Sequence, residues 1–307
     1  MSVYKEIIQE SWHITKEYKS KLFKFWFTPS LFISILWILW ISYQIIAFKN
    51  SSYIPWEFAF WLQDIAIITW WWVKWHWLAS FFIWLFLIFS FLMYVLLPPI
   101  CESSIIHYLN QIKEWKTLEK LNWWLWAWLW NFYKMFELSA ILAPFHIFTL
   151  ISEWSFFARN FWERFISILI PFMIFMFFLS IIVNFLFAFS SQFLVIEKKS
   201  VLWSLNASSW LVMRNIKDTF FLWWIVLLII ARVIVNVIII LLIPLIIFFI
   251  LSFFASTNFF SVWIFIWWVI SVTLIWASAY LLWWFNIFMN TFWTISYFKF
   301  KEKEEVN

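Results

Sequence analysis

The sequence predicts an all-α, polytopic membrane protein with about six transmembrane helices, and three observations predict it. Residues 198–256 pass from a polar, amphipathic run, KKSVLWSLNASSWLVMRNIKD, into an uninterrupted apolar one, TFFLWWIVLLIIARVIVNVIIILLIPLIIFFILSFFAS. An apolar run of that length has no place in a soluble core and spans a bilayer with residues to spare. The chain is 66% hydrophobic and 12% charged, whereas soluble domains carry roughly 45–50% apolar and about 25% charged residues. Its basic residues also crowd into alternate connections between the apolar runs, as they do in multi-pass proteins.

Taken in order, residues 1–28 are basic and amphipathic, with Lys5, Lys16, Lys19, Lys21 and Lys24. Ile7, Ile8, Ile14 and Tyr18 share one helical face, the pattern of a cytoplasmic helix lying in the membrane interface. The long basic segment and the lack of an A-x-A-like site do not fit a cleavable signal peptide. Residues 30–48 form the first expected span. The connection that follows contains a moderately apolar piece at 56–72, read as re-entrant or interfacial. The second span, 77–97, is expected to stop at Pro98-Pro99. A polar connection leads into a Trp-rich amphipathic piece at 121–134, then a third span at 135–151 and a fourth at 165–189. The fifth, 219–254, would extend ~54 Å as a straight helix against a ~30 Å hydrocarbon core, so it must tilt, kink at Pro244 or leave the lipid. The sixth span is 259–292, and residues 294–307 form a charged cytoplasmic tail.

Sixteen of the 21 Lys and Arg residues fall on one side of this arrangement and four on the other, with Arg232 left inside a span. The positive-inside rule then predicts a multi-pass protein of the cell membrane with both termini in the cytoplasm. An internal repeat is also legible. Placing Leu121-Asn122 on Leu205-Asn206 brings Leu118 onto Leu202, Trp126 onto Trp210 and Asn131 onto Asn215. Ser11-Trp12 likewise falls on Ser209-Trp210, with Lys16 on Arg214 and Lys19 on Lys217. Three units, each an interfacial helix plus two spans, would produce these matches.

The segment SVLWSLNASSWLVMRNIK, together with the basic tail TFWTISYFKFKEKE, resembles a broad family of six-helix prokaryotic integral membrane proteins. That family includes the membrane domain found beside glycerophosphodiester phosphodiesterases. The resemblance covers nearly the whole chain and implies six helices ending in a Tyr-containing segment. The chain departs from the pattern where Phe298 follows Tyr297 and no acidic residue comes until Glu302. No catalytic domain is appended, so phosphodiesterase activity is not implied.

Arg232 is the sharpest candidate for chemistry. A charge inside a span is costly and faces a partner, a cavity or a pathway. Asn236 lies one turn on, and with Asn184 from the fourth span the three would make a polar site; a structural ion pair for Arg232 remains the alternative. The histidines share no metal-ligand spacing, the lone Cys101 excludes an internal disulfide, and no phosphate-cradling motif is present. No catalytic residue, metal or cofactor is expected. Anionic lipid headgroups on the cytoplasmic side are the expected partners, through Lys16, Lys19, Lys21, Lys198, Lys199, Arg214 and Lys217. Nucleic acid is not expected, and self-association is compatible with the sequence.

The composition carries one anomaly: no Gly beside 31 Trp. Ordinary usage would give about 21 glycines at roughly 7%, and Trp belongs at interfaces rather than in mid-span clusters such as Trp70-Trp71-Trp72. Reading UGA as glycine turns NWWLWAWLWN at 122–131 into NGGLGAGLGN, which packs helices closely through small residues. The alternative is a chain that is Trp-rich in fact. Two functional readings follow. One is a non-enzymatic envelope scaffold or lipid-interacting factor. The other is a transporter or channel-like protein with a polar midplane site around Arg232.

Overall fold

The computed structural model describes residues 3–19, 22, 27–35, 77–113, 121–146, 150, 163–254 and 260–306. These residues are helical with short turns and include no strand. The helices are α1 (Val3–Glu17), α2 (Trp77–Lys113), α3 (Leu121–Leu142), α4 (Glu163–Leu186), α5 (Ser190–Ile196), α6 (Val201–Arg214), α7 (Ile216–Phe254) and α8 (Phe260–Val306). Residues 27–35 are also helical. Among the described residues, three stretches are long and apolar enough to cross a membrane: Trp84–Lys113, Ile170–Ile196 and Val272–Glu304. By length and composition they mark a helical membrane protein.

The sequence takes Pro98-Pro99 as a stop, but α2 runs through both prolines to Lys113. Two missing N–H groups free the carbonyls one turn earlier, those of Tyr94 and Val95. Membrane helices tolerate this because the surrounding protein supplies the lost partners. The apolar run at 135–151, by contrast, is not one helix. It begins inside α3, which starts at Leu121, and it breaks at a 3-10 turn, Ala143–Phe145, containing Pro144. The fifth run is a single helix, α7, of 39 residues.

The chain divides into two units, one of Met1–Ile35 with Leu211–Asn307 and the other of Leu36–Trp210. In the second unit the first turns of α2 expose a broad apolar surface, including Phe81, Phe82, Trp84, Phe86 and Phe91, while Ser90 is buried. So wide an exposed apolar surface seeks lipid. The packed core lies elsewhere, where Ile106 of α2, Met135 and Leu138 of α3, Leu194 and Val195 of α5, and Val201 and Leu205 of α6 close on one another. Ser208 of α6 locks this core to the turn between α4 and α5. Its hydroxyl accepts from the Phe189 N–H at 3.1 Å and donates to the Leu186 carbonyl at 2.9 Å. Both are backbone groups at helix ends, which helical bonding leaves open.

In the first unit α1 runs antiparallel along the second half of α8. Glu6 pairs with Lys299 at 4.0 Å, and the Trp12 ring sits 6.1 Å from Phe288. Lys19 lies 5.5 Å from the Tyr280 ring, and Phe27 stacks 5.3 Å from Trp276. The buried stripe of α1 is Ile7, Ser11 and Thr15, while Ile8, Ile14 and Tyr18 are half-buried. This differs from the all-apolar row read from sequence. Ser11 and Thr15 pack because each hydroxyl donates to a carbonyl of its own helix, Ile7 and Ser11 respectively. On α8, Thr291, Thr294 and Ser296 are buried and do the same. Small hydroxyl residues satisfied in this way let helix backbones approach closely.

Two of the three expected repeat units bury side chains in the same phase. Met135, Leu138 and Leu142 face inward from α3, and Thr219, Leu222 and Val226 do so from α7. These triplets correspond under the alignment that matches Leu121-Asn122 to Leu205-Asn206.

Candidate functional site

The charged groups of the first unit gather where α1, the start of α7 and the end of α8 meet. Asp218 stands in the first turn of α7 and Lys303 in the last turn of α8. Each sign suits its helix terminus. The Tyr4 hydroxyl donates to Asp218 Oδ1 at 2.6 Å, and Lys303 Nζ donates to Oδ2 at 2.8 Å. The Tyr4 ring stacks on Phe221 at 4.5 Å. Arg214 pairs with Glu304 at 3.4 Å.

The hydrogen bond to the Asp218 carboxylate, with burial and the carboxylate's charge behind it, pushes the Tyr4 phenol up to about 12. Burial opposes ionisation of Asp218, but the bonds from Lys303 and Tyr4 and the Lys303 charge outweigh it. Its carboxyl is therefore held below the usual carboxylate range. Sequence reasoning missed this triad, because Tyr4 and Asp218 are 214 positions apart. The one available signal was Asp218 itself, an acidic residue opening a long apolar helix.

Of the residues expected at a midplane site, Arg232 and Asn236 lie one turn apart on α7, both exposed. Asn184 belongs to the other unit, on α4, where Nδ2 donates to the Phe145 carbonyl and to the Ser180 carbonyl, each at 2.8 Å. The Ser180 hydroxyl also donates to the Phe145 carbonyl. That carbonyl ends the 3-10 turn where Pro144 interrupts the helix, so Asn184 and Ser180 satisfy a backbone group set free by the break.

Of the residues expected at lipid headgroups, Lys16, Lys198, Lys199 and Lys217 are exposed. Lys19 is exposed too but lies over the Tyr280 and Trp284 rings at 5.5 and 5.6 Å. Arg214 is committed in part to Glu304. Lys21 lies outside the described residues. Sequence reasoning did not single out Lys134 of α3. Its ammonium reaches the Lys198 and Lys199 carbonyls at 3.5 and 3.2 Å, in the turn between α5 and α6. Lys199 Nζ is held 5.5 Å over the Trp203 ring.

Large apolar side chains accompany these cations. Leu202 is 74% exposed, Met213 65% and Trp210 59% on α6, and Trp12 is 50% exposed on α1. Among the described residues no group of three or more His, Cys, Asp or Glu is placed to hold a metal ion. No family model, curated protein or solved structure matches the chain.

Proposed function

We propose that this is a non-enzymatic, multi-pass protein of the cell membrane that holds anionic lipid at its cytoplasmic face, as a scaffold or lipid-interacting factor. The observation that carries the reading is the joint exposure of large apolar and basic side chains on helices beside the membrane-crossing stretches. In the second unit Leu202 is exposed close in the chain to Lys198 and Lys199; in the first, Met213 is exposed close to Lys217 and Trp12 close to Lys16. Water disfavours that combination, while the headgroup boundary of an anionic leaflet takes up the apolar groups and the cations together. Six spans, cytoplasmic termini and three repeated units belong to the same proposal. The positive-inside count and the matched burial of α3 and α7 support them.

The test is the lipid retained by the full-length protein on extraction in mild detergent, sorted by headgroup. The proposal expects anionic phospholipid enriched over its share of the membrane, and enrichment lowered by Lys16→Gln with Lys217→Gln. Retention in proportion to membrane composition contradicts it.

A second reading, transport of a polar or anionic solute, is favoured by one observation. Asn184 and Ser180 converge on an unwound backbone carbonyl in an apolar stretch, the kind of break at which transporters bind solutes. Arg232→Leu separates the two readings. Loss of solute flux with normal folding supports transport, and an unchanged protein with unchanged lipid content supports the lipid-holding role.

A further inference from the structure

The turn between α5 and α6 has a geometry that its own residues do not favour. Lys198 adopts φ 57, the only positive value at a non-Gly residue among the described residues. It stands just past the C-cap of α5, Glu197, at the position where Gly or Asn is the usual choice. A lysine there strains its Cβ against the backbone. Strain retained at one residue points to a use for its side chain. The same turn carries Lys199, also exposed, and is clasped from α3 by the Lys134 ammonium. Two of the three N–H donors of Lys134 go to the turn carbonyls, which leaves one for an incoming oxygen. The turn leads straight into the positive end of α6. Leu202, the second residue of α6, is 74% exposed.

We infer that Lys134, Lys198 and Lys199 form a seat for the phosphodiester headgroup of one anionic phospholipid, with Leu202 against its acyl chain. The inference rests on the lipid reading above and assigns it a defined place. Two carboxylates bound the seat: Glu197 directly before the turn, and exposed Glu137 one turn along α3 from Lys134. They cancel much of the long-range field, so recognition is by direct contact between ammonium and phosphoryl oxygen. Glu137→Gln therefore tightens binding.

The test mixes the full-length protein in detergent with equal amounts of phosphatidylglycerol and phosphatidylcholine and counts adducts by native mass spectrometry. The decisive variant is Lys198→Gly with Lys199→Gln. It removes both ammoniums, keeps Lys134 on its carbonyls and puts Gly where the backbone favours it. A seat predicts a wild-type preference for phosphatidylglycerol that falls at least about fivefold in the variant, with no loss of thermal stability. A wild-type preference left intact in the variant overturns the seat and leaves the broader reading standing. A wild type with no preference overturns both. Displacement of the phosphatidylglycerol by inorganic phosphate overturns the lipid as occupant in favour of a soluble anion.

Discussion

Tyr4 donates its phenolic hydrogen to Asp218 Oδ1 at 2.6 Å while Lys303 occupies Oδ2 at 2.8 Å, so one carboxylate joins three helices. Replacing Asp218 by Asn keeps the shape and removes the charge. Both Asp218 and Lys303 are partly solvated, with side chains 31% and 54% exposed, so the loss is about 1 kcal/mol rather than the larger value of a buried pair. The expected result is faster proteolysis within α1, with the apolar spans unaffected.

The same triad sets a pH window for α1. A carboxyl held below its usual range stabilises the docked state above the unfolded value near 4 and loses that effect as pH falls through the folded value. A phenol raised to about 12 stabilises docking fully below the unfolded value near 10 and loses it as pH rises through about 12. Ultraviolet titration of the tyrosines should therefore show a late-ionising phenol that disappears in Tyr4→Phe. The same late step in the variant would contradict the assignment.

Ser208→Ala removes the hydroxyl that accepts from the Phe189 N–H and donates to the Leu186 carbonyl beside the core of the second unit. The cost is about 1–3 kcal/mol, read as a lower melting temperature in detergent. Ser209→Ala is the control: its hydroxyl bonds only one turn back, to the Asn206 carbonyl, and its removal should leave melting nearly unchanged.

Helix content and membrane class were legible because apolar length alone decides them. The exposed Phe81, Phe82, Trp84, Phe86 and Phe91 on α2 have no other stable environment. The docking of α1 was not legible. Ser11 and Thr15 read as polar in sequence, and only their bonds to Ile7 and Ser11 make that face packable. Passage of α2 through Pro98-Pro99 runs against the local rule that proline ends a helix, so a linear pattern misplaces the end. Asn184 was visible as a polar residue in an apolar run. Its partner, the Phe145 carbonyl, is open because the 3-10 turn ends there and His146 is extended. Lys134 was invisible because its targets are backbone carbonyls more than 60 positions away.

The Trp and Gly question has a direct outcome of its own. If UGA is read as glycine, the intact mass of native protein falls below the 38.1 kDa of the written sequence by one indole side chain per replaced position. Trp283, wholly buried in α8, then becomes a close-packing point. A mass equal to the written one means that the rings are real and that they hold the helices apart.

The claim on which the functional account turns is that the basic ends of these helices share the cytoplasmic side. Single cysteines replacing Lys16, Lys198 and Lys303, in a background with Cys101→Ser, test it with a membrane-impermeant maleimide. The account predicts that all three are labelled in inverted vesicles and none in intact cells. Labelling of any one of them from outside the cell would contradict it.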